Sequence, residues 1–248
     1  MATDVLFVIP ARYGSTRFPG KVLKPIAGKP VIQWIYEACA ATGLGETLIA
    51  TEDRRVVDAA AGFSAAAVLT SPDCASGTDR VYEAARNRKE PLVINVQGDE
   101  PFISENTLSA VVNLLRGDKE TDIASACFEI TDPSDITNPN SVKAVLGAGG
   151  RALYFSRSPV PYHHELSDLK DAVAWYKHCG IYGYRRAALE KFVKLPPCAP
   201  ERLERLEQLR ALEAGMVIKC AVLRGDSPAI DVPGDMERAL AYLKAQGK

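Results

Sequence analysis

Short apolar runs along the chain alternate with longer stretches in which apolar residues recur every three or four positions. The apolar runs predict β-strands at residues 5–9, 47–51, 66–70, 92–96, 123–130 and 217–223. Two intervening stretches place apolar side chains on one helical face: Val31, Ile32, Ile35, Ala38 and Cys39 in the first, and Leu108, Val111, Val112 and Leu115, behind a capping Ser104, in the second. This alternation predicts an α/β fold with a Rossmann-like, mostly parallel sheet flanked by helices.

The alternation stops between residues 132 and 186, where proline, asparagine, glycine and aromatic residues are frequent. Two strand-like runs separated by "GAGG" predict antiparallel strands in this part of the chain. We therefore predict one domain over residues 1–248. Its core is formed by 1–131 and 187–248, and a smaller lobe is inserted at 132–186.

The last quarter of the chain returns to helical spacing. Leucines at 203, 206, 209 and 212 recur every three residues and predict a helix that ends at Gly215. A final helix is predicted from about Gly234 onward.

Composition limits the classes of partner. The 248 residues include 30 Lys and Arg and 31 Asp and Glu, for a net charge of −1, so no overall positive field attracts nucleic acid. No apolar run reaches the roughly 18 residues of a membrane span, and we expect no membrane insertion and a cytoplasmic protein. The six cysteines form no CxxC pair and are expected to be small buried apolar residues.

The segment after the first strand, "PARYGSTRFPGK", is rich in groups that bind anions. It contains Arg12, Ser15, Thr16, Arg17 and Lys21. Ligands of open α/β sheets bind beyond the carboxyl ends of the strands, where backbone amides, hydroxyls and cations can hold phosphate oxygens. The segment matches neither GxxxxGK[ST] nor GxGxxG. It predicts a triphosphate-binding loop of another type.

A second polar segment, "VINVQGDEP", places Asp99 directly after a buried strand. Mg²⁺ usually takes one or two protein carboxylates together with phosphate oxygens, so a second acid is expected nearby. Asp231, in "AIDVPGD", is the best-placed candidate. The sequence thus predicts a Mg²⁺ ion bound by Asp99 and Asp231.

Seven segments together resemble the 3-deoxy-manno-octulosonate (Kdo) cytidylyltransferases: "VIPARYGSTRFPGK", "SGTDR", "NVQGDEP", "ALYFSR", "HCGIYGYR", "LEQLR" and "IDVPGDME". The similarity extends from about residue 5 to residue 240. It implies an Mg²⁺-dependent nucleotidyltransferase that joins Kdo to CTP, giving CMP-Kdo and pyrophosphate for lipopolysaccharide biosynthesis. It also implies a homodimer, formed through the lobe around residues 140–185.

The resemblance implies a role for individual residues. Arg12, Ser15, Arg17 and Lys21 would hold the phosphates, Ser76, Gly77, Arg80 and Gln97 would complete the nucleotide site, and Asp99 and Asp231 would hold the metal. Of these, Arg12, Lys21, Asp99 and Asp231 would act in catalysis. Gln97, Arg157, His178, Tyr182, Glu207 and Gln208 would bind the sugar, with the Arg157 guanidinium on its carboxylate.

Taken without the resemblance, three of the sugar-site residues fit a structural role as well. His178 in an apolar aromatic strand is typical of a satisfied core histidine, and Tyr182 of a packing residue. Glu207 is compatible with an exposed helical charge.

Three alternatives stay open at this point. The pair His163 and His164 departs from the family pattern in a predicted loop, and this keeps another acid sugar possible, 8-amino-Kdo or sialic acid. "GAGGRA" at 147–152 formally fits a dinucleotide-binding fingerprint and hence an NAD-dependent oxidoreductase, but it is predicted to be a hairpin turn that opens no helix. A non-catalytic nucleotide-binding module would be expected to lack Asp99 or Asp231, and the chain has both.

Overall fold

The computed structural model describes residues 3–14, 18–162, 175–225, 230 and 233–245. These residues form two compact units. Unit 1 comprises the described residues within 1–109 and 227–248, and unit 2 those within 110–226. The predicted lobe at 132–186 falls within unit 2, and its role in sugar binding and dimerisation stays a prediction.

The strands are β1 (Val5–Pro10), β2 (Pro25–Ile26), β3 (Lys29–Pro30), β4 (Glu46–Thr51), β5 (Ala67–Leu69), β6 (Leu92–Val96), β7 (Ile123–Glu129), β8 (Lys143–Leu146), β9 (Ala152–Ser156), β10 (Tyr176–Arg185) and β11 (Ile218–Leu223). The helices are α1 (Val31–Ala41), α2 (Arg54–Ala61), α3 (Gly77–Ala85), α4 (Glu105–Gly117), α5 (Ser134–Thr137), α6 (Arg186–Phe192), α7 (Ala199–Glu204), α8 (Gln208–Glu213) and α9 (Asp235–Ala245). Each of the six predicted strands is present, as are the predicted helices around residues 31–39 and 108–115 and after Gly234.

The sheet of unit 1 is parallel, in the order β6–β1–β4–β5. The register is continuous across its centre, where Phe7 pairs with Ile94 on one side and with Thr47 on the other. All residues of β1 and β6 are buried, as expected for strands whose two faces are covered by helices. Because both strands run in the same direction, their carboxyl ends open at the same edge of the sheet.

The two helices that the sequence predicts around residues 31–39 and 108–115 bury the faces that it indicates. In α1, Val31, Ile32 and Ile35 are fully buried. Before α4, the Ser104 hydroxyl accepts a hydrogen bond from the Thr107 amide at 3.1 Å, which confirms the predicted cap.

Unit 2 contains a mixed sheet. β11 runs parallel to β7, whereas β10 is antiparallel to both β7 and β8, and β8 is antiparallel to β9. A three-residue 3₁₀ turn, Ala148–Gly150, joins β8 to β9. "GAGGRA" is therefore a hairpin connection, as predicted, and opens no α-helix of the kind that a dinucleotide site requires.

The helix predicted through the four leucines is wrong in one respect. Arg205 adopts a left-handed conformation (φ 54°, ψ 47°) that divides it into α7 and α8, and Leu203 is 85% exposed. Because the helix breaks here, the carbonyl oxygen of Glu204 at the end of α7 can accept a hydrogen bond from outside the helix, and Arg157 Nε donates to it. The predicted stop at Gly215 is confirmed, with φ 72°.

Five of the six cysteines are buried and Cys74 is half-buried, all with free thiols. Among the described residues, no helix combines the length and apolar character needed to cross a membrane.

Candidate active site

Two glycines shape the edge of the unit 1 sheet where β1 and β6 end. Gly20 has a φ of 70°, which favours glycine, and it precedes a 3₁₀ turn that begins at Lys21. A Cβ on Gly98 would lie 2.7 Å from the carbonyl oxygen of Pro10, so only glycine lets the loop after β6 approach the end of β1 this closely. The two loops therefore meet at Lys21 and Asp99.

An ion pair forms at this meeting point. The Lys21 Nζ donates to Asp99 Oδ2 at 3.0 Å and to the carbonyl oxygen of Ile230 at 2.9 Å. The Lys21 side chain is 12% exposed and that of Asp99 33% exposed, so both charged groups reach solvent in part. The structure thus brings together two of the four predicted catalytic residues and fixes the ammonium beside the carboxylate.

Ile230 is hydrogen-bonded to the same loop. The amide of Ile230, the residue before Asp231 in sequence, donates to the Asp99 carbonyl at 2.8 Å. Asp231 itself, like Ser15, Arg17, His163 and His164, lies outside the described residues. Arg12, which is described, is exposed after the end of β1.

Asp99 fits a magnesium ligand by its chemistry. It supplies a carboxylate at a strand end, partly open to solvent, and a nucleotide would supply the phosphate oxygens that Mg²⁺ prefers beside it. Of the two predicted metal ligands, Asp99 is described by the structure and Asp231 lies outside the described residues.

The predicted nucleoside residues lie at the start of α3. Ser76 caps this helix: its hydroxyl donates to Asp79 Oδ2 at 3.0 Å and accepts from the Asp79 amide at 3.2 Å. Gly77 is the first residue of α3. It could bind a base only through its backbone, and its lack of a side chain would let the base approach closely. The Ser76 hydroxyl is committed to the cap.

Arg80 is fully buried, and its predicted nucleotide contact stays a prediction. Its Nη2 lies 3.1 Å from Glu52 Oε2, while Nη1 donates to the Thr70 hydroxyl. The other carboxylate oxygen of Glu52 accepts from the Tyr13 amide at 3.0 Å. Arg80 therefore supports the first loop through Glu52. Gln97 is half-buried after the end of β6.

In unit 2, the predicted sugar residues His178 and Tyr182 form an aromatic cluster. The His178 ring centroid lies 4.8 Å from that of Phe155, edge to face, and 5.3 Å from that of Tyr182. Burial lowers the pKa of His178 to about 3. Burial, with the Tyr184 phenol and the Glu207 carboxylate nearby, raises the pKa of Tyr182 well above its usual value. Both side chains are therefore neutral near pH 7.

Arg157 has two backbone acceptors. Its Nε donates to the carbonyl oxygen of Glu204 at 2.8 Å, and its Nη1 to that of Pro139 at 2.9 Å. The Glu204 carboxylate in turn accepts from the Ser156 hydroxyl at 2.6 Å and from the Arg157 amide at 2.9 Å. In this arrangement the guanidinium joins two loops, and the predicted bidentate contact with a sugar carboxylate would have to use its remaining N–H groups.

Glu207 and Gln208 lie at the start of α8. The Glu207 side chain is partly exposed, with its carboxylate 3.8 Å from Arg210 Nη2. Gln208 is 5% exposed, and its Nε2 has no hydrogen-bond partner within the part of the chain that the structure describes.

Sequence reasoning missed Glu204 and Ser125. Glu204 was hidden by the regular leucine spacing, which predicts an exposed helical position for it. Ser125 lies in β7 with its hydroxyl 2.8 Å from His178 Nε2. A serine in the middle of the apolar run "IASACFEI" was the available signal, because a buried hydroxyl needs a partner.

Comparison with known proteins identifies the family. The model of the cytidylyltransferase family matches residues 6–218. A 3-deoxy-manno-octulosonate cytidylyltransferase from Elusimicrobium minutum is 51% identical over 97% of this chain and 98% of its own. The chain belongs to the cytidylyltransferase family. It is therefore a nucleotidyltransferase, and Lys21 and Asp99 lie within the matched region.

Other relatives of this cytidylyltransferase carry related names. An 8-amino-3,8-dideoxy-manno-octulosonate cytidylyltransferase from Shewanella halifaxensis is 47% identical over 97% of the chain and 98% of its own. A solved CMP:2-keto-3-deoxy-manno-octonic acid synthetase complexed with CTP is 39% identical, with a TM-score of 0.91 over 98% of this chain and 99% of that one. This structure confirms the predicted nucleotidyltransferase-type α/β fold.

Proposed function

We propose that this cytidylyltransferase transfers a cytidylyl group from CTP to Kdo, giving CMP-Kdo and pyrophosphate. The observation that carries the proposal is the 51% identity over nearly the full length of a Kdo cytidylyltransferase. The 0.91 TM-score to a synthetase of the same sugar in complex with CTP supports it.

The chemistry needs alignment and charge neutralisation more than a covalent protein nucleophile. The anomeric hydroxyl of the sugar attacks the α-phosphorus and gives up its proton to water. The new C–O–P linkage forms, and the bond from the α-phosphorus to the oxygen that bridges it to the β-phosphorus breaks, which releases pyrophosphate. Negative charge grows on the α-phosphate and the departing pyrophosphate. A cation fixed before substrate arrives stabilises that charge without reorganising during the reaction.

Lys21 is suited to this role. Its ammonium donates to the Asp99 carboxylate at 3.0 Å and to the Ile230 carbonyl at 2.9 Å, and its side chain is mostly shielded from water. Arg12, exposed after β1, would contribute a more solvent-accessible cation to the triphosphate, together with Ser15 and Arg17 from the same loop.

Mg²⁺ is part of the proposal. Asp99 would hold it with Asp231, and the ion would add positive charge beside the phosphates when bound. Lys21 would position the Asp99 carboxylate for this purpose, because its ammonium donates to the Oδ2 atom at 3.0 Å.

For the sugar, the proposed set is Gln97, Arg157, His178, Tyr182, Glu207 and Gln208. The neutral imidazole of His178 and the phenol of Tyr182 are suited to hydroxyl groups, which exchange hydrogen bonds without charge. Gln208 is buried and retains donor capacity on its amide, among the residues the structure describes.

Pyrophosphate release tests the proposal directly. Each of the four nucleoside triphosphates is combined with Kdo, 8-amino-Kdo and N-acetylneuraminate in the presence of Mg²⁺. We expect release with CTP and Kdo, none with N-acetylneuraminate, and loss of the signal in the Asp99→Asn variant. Equal release with UTP, or release without any sugar, would contradict the assignment.

A second candidate substrate is 8-amino-Kdo, because the Shewanella halifaxensis relative at 47% identity carries that name. The two sugars differ by an amine in place of one hydroxyl. A kcat/KM at least tenfold higher with 8-amino-Kdo than with Kdo would replace the first assignment by the second.

The remaining proposals follow from the family likeness. We place the enzyme in the cytoplasm, where CTP is made, and in lipopolysaccharide biosynthesis, and we propose a homodimer through the lobe around 140–185.

Leu153 and Tyr154 on β9 are 57% and 38% exposed, and a partner would cover this apolar surface. Leu153→Asp should then shift the protein toward monomer in sedimentation velocity; an unchanged dimer would exclude this surface.

A further inference from the structure

Ser125 lies at the centre of β7 with its hydroxyl close to three polar atoms. Its Oγ is 2.7 Å from the carbonyl oxygen of Ile181, 2.8 Å from His178 Nε2 and 3.4 Å from the carbonyl oxygen of Cys179. The residue is completely buried, so water cannot replace any of these contacts.

A β-bulge in β10 explains why the hydroxyl is needed here. The pairing with β7 passes from Cys179 opposite Ala126 directly to Tyr182 opposite Ser125. Gly180 and Ile181 thus have no opposite residue in β7. The Ile181 carbonyl instead accepts the Ser125 hydroxyl, which keeps a buried acceptor satisfied.

Counting protons then determines the tautomer of His178. A serine hydroxyl has one hydrogen to donate, and a carbonyl oxygen can only accept. The short contact to Ile181 therefore uses the Ser125 hydrogen. The contact at 2.8 Å to His178 Nε2 must then have its hydrogen on the imidazole.

The other ring nitrogen is left as an acceptor. Burial lowers the pKa of His178 to about 3, so the ring is neutral near pH 7 and carries a single N–H. With that hydrogen on Nε2, Nδ1 has a free lone pair. No residue within the described ranges donates to it.

We propose that Ser125 is a positioning residue that holds His178 as the Nε2–H tautomer, so that Nδ1 accepts a hydrogen bond from a hydroxyl group of the sugar substrate. The inference deepens the proposed function, in which His178 belongs to the sugar site. Ser125 itself touches no substrate and acts only through the imidazole.

Imidazole nitrogen chemical shifts measured by ¹⁵N NMR on the full-length protein test the tautomer without any substrate. The chain has three histidines, and the signals lost in the His178→Gln variant assign the ring. We expect a protonated Nε2 and an unprotonated Nδ1 at pH 7.5. A ring protonated on Nδ1 would overturn the proposal, whatever the enzyme's substrate proves to be.

Variants at Ser125 test the consequence for binding. Ser125→Ala removes the hydroxyl, and Ser125→Cys keeps nearly the same volume with a much weaker hydrogen-bonding group. We expect the KM for Kdo to rise about tenfold in the alanine variant, the effect of one lost hydrogen bond, and by less in the cysteine variant. The KM for CTP and the kcat should change little, and the NMR spectrum of the alanine variant should show a mixture of tautomers.

Thr47→Val is the matched control. It removes a buried strand hydroxyl that has no partner in the described part of the chain, and it should leave both KM values unchanged. The positioning role would be overturned if Ser125→Ala lowered kcat and raised both KM values by the same factor while the tautomer of His178 stayed unchanged. If Ser125→Ala fails to fold, the wild-type ¹⁵N spectrum still tests the tautomer, and the KM for Kdo of Ser125→Cys still tests the positioning role. If the tautomer is as expected but no nucleotide is consumed with Kdo, the proposed function fails and the tautomer assignment stands.

Discussion

The edge of the unit 1 sheet and the aromatic cluster of unit 2 use opposite kinds of chemistry. At Lys21 and Asp99, two full charges lie 3.0 Å apart and both retain contact with solvent. Around His178, the ring is neutral, and its partners are a hydroxyl and aromatic side chains. Fixed charge responds strongly to charge that develops during a reaction, whereas directed neutral hydrogen bonds select shape and donor pattern. We therefore expect changes in the first region to act mainly on kcat and changes in the second mainly on the KM for the sugar.

The largest effect is expected from Asp99→Asn. The substitution keeps the shape but removes the charge that faces Lys21 and would hold the metal, so kcat should fall by at least roughly 10³-fold. Thermal unfolding should change little, because Lys21 keeps its bond to the Ile230 carbonyl. Asp118→Asn, which alters another Lys–Asp pair, with Lys219, is the control and should retain turnover. Near-normal Mg²⁺-dependent activity of Asp99→Asn would disprove the metal assignment.

Lys21→Ala should have the next largest effect. Loss of one donor to developing negative charge lowers kcat by roughly 10²- to 10³-fold, about 3 to 4 kcal/mol. Lys219→Ala is the matched control, since Lys219 also pairs with an aspartate. A rise in KM with an unchanged kcat would mean that Lys21 binds ground state and transition state equally.

Arg157→Lys tests another part of unit 2, where the Arg157 guanidinium donates to two backbone carbonyl oxygens. A lysine cannot reach the carbonyl oxygens of Glu204 and Pro139 together, so the free energy of unfolding should fall by about 1 to 3 kcal/mol. The KM for Kdo should rise in parallel as the loops separate, measured by chemical denaturation and steady-state kinetics. A higher KM with unchanged stability would instead favour the direct contact with the sugar carboxylate that the sequence predicts.

Near pH 7, the smallest expected effect is the pH dependence of stability due to His178. Its pKa is about 3 in the folded protein and near 6.5 in an unfolded chain, so the unfolded state binds the extra proton between these values. Stability from this residue is complete above about pH 6.5 and is lost as the pH falls below it, by at most about 1.4 kcal/mol per pH unit.

Urea unfolding of wild type and His178→Gln between pH 8 and pH 5 measures this contribution. The variant should lose less stability on acidification than the wild type does. Parallel curves for the two proteins would show that the His178 ring is not buried in the neutral form.

Much of the fold, and the residues Lys21 and Asp99 of the first region, were predictable from local patterns. Apolar runs and helical periodicity located the strands, and the polar segments after β1 and β6 indicated Lys21 and Asp99. The prediction failed where local regularity and tertiary contacts disagree. The leucine spacing predicts one helix through Arg205, yet the chain breaks there, and Glu204 contacts Ser156 and Arg157 in another part of unit 2.

Arg80 shows a related limit. The family resemblance implies a nucleotide contact, which stays a prediction, and the structure adds that the guanidinium is buried against Glu52 and Thr70. The sequence around Arg80 does not indicate that Glu52 and Thr70 are its partners.

The sequence alone determined the succession of strands and helices, the polar loops at the strand ends and the membership of the family, because these depend on residue type and spacing over short distances. Only the tertiary structure decided which polar groups meet. Lys21 and Asp99 are 78 residues apart, and Ser125 and His178 are 53 apart. A hydrogen bond forms only within a few tenths of an ångström of its best length, and the packing of the whole unit, not the local chain, sets distances at that scale.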